Sequence, residues 1–428
     1  MKLLRRALPI ACAAASTLSC GDAGQRTPLL VDAASAERTA PGALGVGRAA
    51  PDALAALDVG RAAPPREGAS GEHRFCGWLH EFLGDPGSTE LGYDTFAAHA
   101  GAFDAVHPKW WRVASPTTFE NHPRGRATPF AGFHDRRVLD ATTGGAAGGG
   151  RTWLVPLVAA VDRPDVVAVH AMIHDPALRA QHVAGLAALV MENGYDGIDV
   201  DYEHLASVLG PGETVEAERS AFSAFIDELA RALHARGKAL SLAVPAVASA
   251  RGVFDYEALS ASADHVHVMS YDYHWGGGPH AGPVAPLGWI ERTVAYIGGI
   301  DGGARREKFI LGLPNYGLLG PEAPEGGGAV VGCEPLRTCR ELAGDSYATS
   351  TDHMGRCAED GGERFAPGRA PNRVLASGAH LFFEDLESLE EKVVAASQGG
   401  LGGVTYWSIG GEPGGAAFFS MIARHFPR

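Results

Sequence analysis

From about His73 onward, short apolar runs rich in β-branched and aromatic residues alternate with longer stretches whose apolar positions recur at helical spacing. The candidate strands are Phe75–Leu79, Ala105–Val113, Thr152–Val158, Gly197–Asp201, Ala239–Pro245, His265–Tyr271, Phe309–Leu313 and Gly403–Trp407. Between two of them, Glu216–Arg236 sets Phe222, Phe225, Ile226, Leu229 and Leu233 along one stripe, the signature of an amphipathic helix. Strands joined through crossover helices pair in parallel. Eight such units in residues 73–428 predict an α/β fold of the (β/α)8 TIM-barrel type, with an insertion from about Gly320 to Arg373 between strands 7 and 8. A doubly wound sheet is the alternative, although eight strands is many for one and no G-x-G-x-x-G follows the first strand.

The first 72 residues lack this periodicity. Residues 21–72 consist largely of Ala, Gly, Pro and Arg, contain the near-repeat LGVGRAAPDAL and LDVGRAAPPRE, and predict a flexible spacer that cannot bury enough surface to offset ordering entropy. In residues 1–20, Lys2, Arg5 and Arg6 precede an apolar small-residue stretch ending in Leu18-Ser19-Cys20, which reads as an export signal. That ending resembles the cleavage box of bacterial lipoproteins, which would make Cys20 a lipidated first residue; plain cleavage and secretion is the alternative. Either way the expected location is outside the cytoplasm, anchored at the cell envelope or secreted. No later stretch holds 18 uninterrupted apolar residues, so no other membrane span is expected.

Composition narrows the classes. Of 428 residues, 46% are hydrophobic and 20% charged, which excludes wholesale disorder. Lys+Arg 36 against Asp+Glu 50 gives a net charge of -14, which repels phosphate backbones and makes nucleic acid an unsuitable partner. After Cys12 and Cys20, four cysteines remain: Cys76, Cys333, Cys339 and Cys357. In an oxidising compartment at least one bridge among the last three is expected, though its pairing is open. A zinc knuckle would have only His353 as a nearby fourth ligand and fits no common spacing.

The candidate chemistry lies in Asp196-Gly197-Ile198-Asp199-Val200-Asp201-Tyr202-Glu203. Strand alternation places Asp199, Asp201 and Glu203 on one face and Ile198, Val200 and Tyr202 on the other, with Asp196 out of phase. In a barrel the acidic set would face inward and Glu203 would emerge at the carboxyl end, where barrel enzymes hold their sites. Like charges so stacked raise at least one pKa, which leaves a carboxylic acid able to give a proton near neutral pH. A metal site is the rival, but only His204 is adjacent, on the opposite face.

This stretch resembles the DxxDxDxE signature of glycoside hydrolase family 18, the chitinases and their relatives. Met269-Ser270-Tyr271-Asp272 resembles the family's M-x-Y-D element, Leu311–Gly317 its seventh-strand element, and Gly402–Trp407 its closing strand. Phe383–Leu389 resembles the helix start before that strand. The resemblance implies a retaining mechanism in which the substrate's own N-acetyl oxygen is the nucleophile, outside the two-carboxylate scheme. It implies Glu203 as general acid, Asp201 turning the acetamido group, Asp199 holding Asp201's proton, and Asp196 as structural. It implies Tyr271, Asp272, Trp407 and Tyr316 as substrate-binding residues; core packing for Trp407 and Tyr316, and helix capping for Asp272, are the alternatives. No cofactor or metal is called for, and a monomer acting on a glycan containing N-acetylglucosamine is expected. Tyr271–Trp275 and Gly282–Leu287 look more like the spore-cortex-lytic and chitobiase-like branches. An inactive carbohydrate-binding relative and an endoglycosidase of N-linked glycans are the competing readings. Trp110 and Trp111 are left between cleft and outer packing, His80 and Glu81 face the same mouth, and His174, His265 and His267 read as ordinary barrel residues.

Overall fold

The computed structural model describes residues 75–79, 88–121, 136–143, 151–246, 252–275, 282–320, 363–364, 371–374, 380–410 and 412–427. Residues 1–20, read as an export signal, residues 21–72, read as a spacer, and Cys20, Cys333, Cys339, Cys357, His80 and Glu81 lie outside the described residues.

Eight strands close into a parallel barrel: β1 (Cys76–Leu79), β2 (Ala105–Ser115), β3 (Leu157–Ala160), β4 (Gly197–Tyr202), β5 (Ala239–Pro245), β6 (His265–Met269), β7 (Phe309–Pro314) and β8 (Gly403–Trp407). Each pairs with its neighbour in sequence, and β1 pairs with both β2 and β8, which removes any open edge from the ring. The helices that cover it are α1 (Ser88–His99), α2 (Arg136–Thr143), α3 (Arg163–His174), α4 (Pro176–Glu192), α5 (Val215–His234), α6 (Tyr256–Ser262), α7 (Leu287–Gly299), α8 (Leu386–Gln398) and α9 (Ala416–His425). The barrel expectation holds.

Alternation along β4 decides which chemistry faces in. Ile198, Val200 and Tyr202 are buried in the layer between strands and helices. The Tyr202 ring stacks on Phe225 of α5 with centroids 5.9 Å apart. Its hydroxyl meets His182 Nε2 of α4 at 2.7 Å, while His182 Nδ1 lies 2.8 Å from the Pro116 carbonyl. Burial pulls His182 down to about 4, so the ring is neutral; it donates from Nδ1 and accepts the Tyr202 proton at Nε2. The stripe Phe222, Phe225, Ile226, Leu229 and Leu233 is buried against this layer, and truncating such a phenylalanine costs about 3–5 kcal/mol. Thr214 caps α5 by accepting the Ala217 N–H, and Asp385 and Ser388 form a reciprocal capping box on α8.

Two strand boundaries differ from the sequence reading. The third strand is split into Trp153–Leu154 and Leu157–Ala160, because Pro156 has no N–H for the ladder; β2 slips register beside it, between Lys109 and Trp111. The sixth strand ends at Met269, so Tyr271 stands just past it in a loop where Asp272 takes φ 58°, a left-handed conformation that Asp tolerates. In and flanking the predicted insertion, Leu318–Gly320, His380–Phe382, Pro371–Val374 and Glu363–Arg364 pair in that order as an antiparallel sheet, which extends past the expected Gly320–Arg373 bounds on both sides. Among the described residues no helix is long and apolar enough to cross a membrane.

Candidate active site

The inward face of β4 carries a column of three carboxyl groups. Asp199 is deepest, with no solvent exposure, Asp201 is buried above it, and Glu203 follows the strand end, half-buried, its N–H held by the Ala160 carbonyl at 2.9 Å. Asp199 accepts Trp78 Nε1–H from β1 at 2.9 Å and Ser241 Oγ–H from β5 at 2.7 Å. His267 Nδ1 of β6 lies 3.4 Å away and His107 Nδ1 of β2 3.7 Å away. Burial alone would raise Asp199, but these imidazoles and the Ser241 hydroxyl outweigh it and hold the group well below the usual carboxylate range. Burial also takes His107 down to about 4, leaving it neutral at physiological pH.

The upper two groups shift the other way. Burial pushes Asp201 up to about 6; the Lys109 ammonium, 3.7 Å from Asp201 Oδ2, works against that rise and the Asp199 charge adds to it. Burial pushes Glu203 up to about 8, reinforced by the Asp201 charge and by a hydrogen bond with Asp201, while Lys109 opposes. The column therefore holds its charge at the bottom and its proton at the mouth. A carboxylic acid so placed can give a proton to a leaving oxygen while a carboxylate beside it faces developing positive charge.

Ala159 of β3 and Ala243 of β5 are small, and with Trp78 and Leu157 they form an apolar cluster separate from the main core, bordered by Met269, Tyr271 and Trp407. Tyr271 meets Trp78 edge-on at 6.2 Å and Tyr316 at 6.1 Å. Tyr316 donates its hydroxyl proton to Asp272, whose carboxyl the surrounding protein pushes up while that bond pulls it down. Trp407 ends β8, its ring 6.3 Å from that of Trp78 and 5.3 Å from Lys109 Nζ. The Trp407–Ser408 peptide is cis, and the Asn315 side chain grips both the Ser408 N–H, at 2.7 Å, and its carbonyl, at 2.5 Å. Asp199, Asp201, Glu203, Tyr271, Asp272, Tyr316 and Trp407 thus converge. Asp196 stands apart at the strand start, bound by the Arg151 guanidinium and accepting the Leu154 N–H at 2.9 Å. Trp110 is buried in the outer layer, and Trp111 donates to the Tyr195 hydroxyl there at 3.2 Å.

The family profile "Glycosyl hydrolases family 18" matches residues 169–412, a span that contains the whole acidic column and the closing strand. The chain belongs to this family. Among similar proteins, the Bacillus subtilis "Putative sporulation-specific glycosylase YdhD" is 33% identical over 35% of this chain and 33% of its own length. Mouse chitotriosidase-1 is 27% identical over 56% of this chain and 54% of its own. The chain thus spans between a third and just over half the length of these relatives. Among solved structures, the spore cortex-lytic enzyme SleL of Bacillus cereus superposes with a TM-score of 0.60 at 16% identity, over 82% of this chain and 74% of that one. That likeness concerns the fold.

Four residues of this family 18 site escaped the sequence reading, Trp78, His107, Lys109 and Ser241, and a fifth, His267, read as an ordinary barrel residue, lies 3.4 Å from Asp199. A lysine inside the apolar run Ala105–Val113 was a visible signal; the other four come from strands remote in sequence and carry none.

Proposed function

We propose that this chain is an exported retaining glycosidase that cleaves β-1,4 linkages next to N-acetylglucosamine, in chitin oligosaccharides or peptidoglycan-type glycans, by substrate-assisted catalysis. The observation that carries the reading is the column of Asp199, Asp201 and Glu203 on one strand, with Trp78 and Ser241 donating to Asp199 at its base at 2.9 and 2.7 Å and Lys109 3.7 Å from Asp201. In this scheme Glu203 gives its proton to the glycosidic oxygen, which leaves as an alcohol. The acetamido carbonyl oxygen of the sugar bonds to C1 and forms an oxazolinium. Asp201, ionised at that step, accepts a hydrogen bond from the acetamido N–H and balances the new positive charge, with Asp199 ionised beneath it. Water, deprotonated by Glu203, then attacks C1 and regenerates the acetamido group, so the anomeric configuration is retained. Tyr271 and Asp272 bind the acetamido group or the distorted sugar, Trp407 forms its floor, and Tyr316 orients Asp272. The Lys2–Cys20 pattern supports export, with Cys20 lipidated or the chain released.

The test compares fluorogenic chitobioside with the matching cellobioside, which lacks the acetamido group. Cleavage of the first alone, with β-anomer appearing first by NMR, is expected; cellobioside turnover at a similar rate, or α-anomer first, overturns the mechanism. Mass spectrometry of products from chitin oligomers and purified peptidoglycan identifies the glycan. Tight chitooligosaccharide binding without turnover would instead mark a lectin.

A further inference from the structure

Outside the strands, α3 carries His170 and His174 one turn apart, and Glu218 projects from the start of α5 against them. Glu218 is fully buried and both its oxygens face imidazoles: His170 Nδ1 lies 2.9 Å from Oε2 and 3.1 Å from Oε1, and His174 Nε2 lies 2.7 Å from Oε2. The other nitrogen of His170, Nε2, is 3.2 Å from Glu213 Oε1. His170 therefore stands between two carboxylates with a ring nitrogen on each. A neutral imidazole has one N–H. Donating it to Glu213 turns the bare Nδ1 lone pair toward the buried Glu218 carboxylate, and donating it to Glu218 leaves the mirror conflict. Satisfying both takes a second proton or a metal ion in its place.

We propose that His170, His174 and Glu218 bind one divalent ion of the zinc class, with Glu213 behind His170. His170 Nδ1, His174 Nε2 and one Glu218 oxygen are the ligands, and these atoms already lie within 4.8 Å of one another. Glu213 accepts the Nε2–H of His170 and so fixes the tautomer that leaves Nδ1 free to ligate, the usual task of an outer carboxylate. Two imidazoles and a carboxylate suit zinc with a fourth position open, whereas Mg²⁺ and Ca²⁺ favour oxygen ligands. Bonds of about 2.0–2.1 Å hold tetrahedral donors about 3.4 Å apart, so the donors must part by roughly half an ångström. His174, whose side chain is 39% exposed in the last turn of α3, has the room to do so. A bound ion would tie α3 to α5, the helix that ends the segment beginning at Glu203. This site is independent of the glycosidase reading, and the sequence had called for no metal.

The experiment uses the full chain, stripped with a chelator, dialysed and titrated with Zn²⁺ alone, with zinc content measured by mass spectrometry and melting followed at each step. Wild type is expected to retain one more equivalent of zinc than His170→Ala/His174→Ala and to melt higher when loaded. His174→Asn, a half-exposed and milder change, should lose the zinc-dependent rise in Tm, and Glu213→Gln should weaken binding about 10–100-fold. Equal zinc content and equal melting shifts in wild type and His174→Asn overturn the site. A rise of the same size with Mg²⁺ overturns its nitrogen ligation.

Discussion

Replacing Glu203 by Gln keeps the side chain's size and removes its proton. At the ordinary value of 4.5 about one glutamic acid in 300 is protonated at pH 7, whereas at about 8 roughly nine in ten are. The barrel thus multiplies the acid form some 300-fold before any substrate arrives. In the proposed mechanism the acid form is the active one, so a raised pKa extends activity upward: kcat/KM should stay high through neutrality and fall as pH rises through about 8. A positioned general acid contributes about 10²–10⁴ in rate, about 2.7–5.4 kcal/mol of transition-state stabilisation. The assay is turnover of a fluorogenic chitobioside between pH 4 and 10 by wild type and Glu203→Gln. The variant should lose about 10²–10⁴ in kcat, keep most of its binding, and show no fall near pH 8. A variant with wild-type turnover, or a wild type whose rate still climbs at pH 9, refutes the assignment.

Lys109→Met removes the cation that holds Asp201 and Glu203 down, so the alkaline fall in kcat/KM should move to higher pH; an unmoved or lowered midpoint counts against that electrostatic role. Asn315→Ala leaves the buried Ser408 N–H and carbonyl without their partner and should cost about 1–3 kcal/mol for each in urea denaturation, with a raised KM as Trp407 loses its support. Lys392 and Glu384 form an ion pair in which both side chains are 1% exposed, so Lys392→Met should destabilise by about 3–5 kcal/mol, and Glu384→Gln/Lys392→Met should recover much of it.

The fold was legible because its signals are local. The β4 alternation and the α5 stripe each lie within a few turns of chain, and both survive in the structure with the expected faces buried. What shifted did so for equally local reasons of a different kind. Pro156 splits a run whose hydrophobicity reads as continuous, and a left-handed Asp272 ends the sixth strand before Tyr271. Apolar pattern records what is buried and says less about which N–H groups are available to a ladder.

The candidate site divides along the same line. Asp199, Asp201 and Glu203 share a face by two-residue periodicity alone, so the acidic column follows from the motif itself. Its charge states do not. Trp78 reaches Asp199 across 121 residues from β1, and Ser241 across 42 from the neighbouring β5, so neither donor is in place until the strands pair. Lys109 belongs to another strand again, and it tempers the very shift that makes Glu203 an acid. The motif supplies the carboxyl groups, and the closed barrel decides which one keeps the proton. It follows that substitutions at Trp78 or Ser241 should raise Asp199 and disturb the proton's position on Asp201 and Glu203, and that the pH profile of turnover is where this would register.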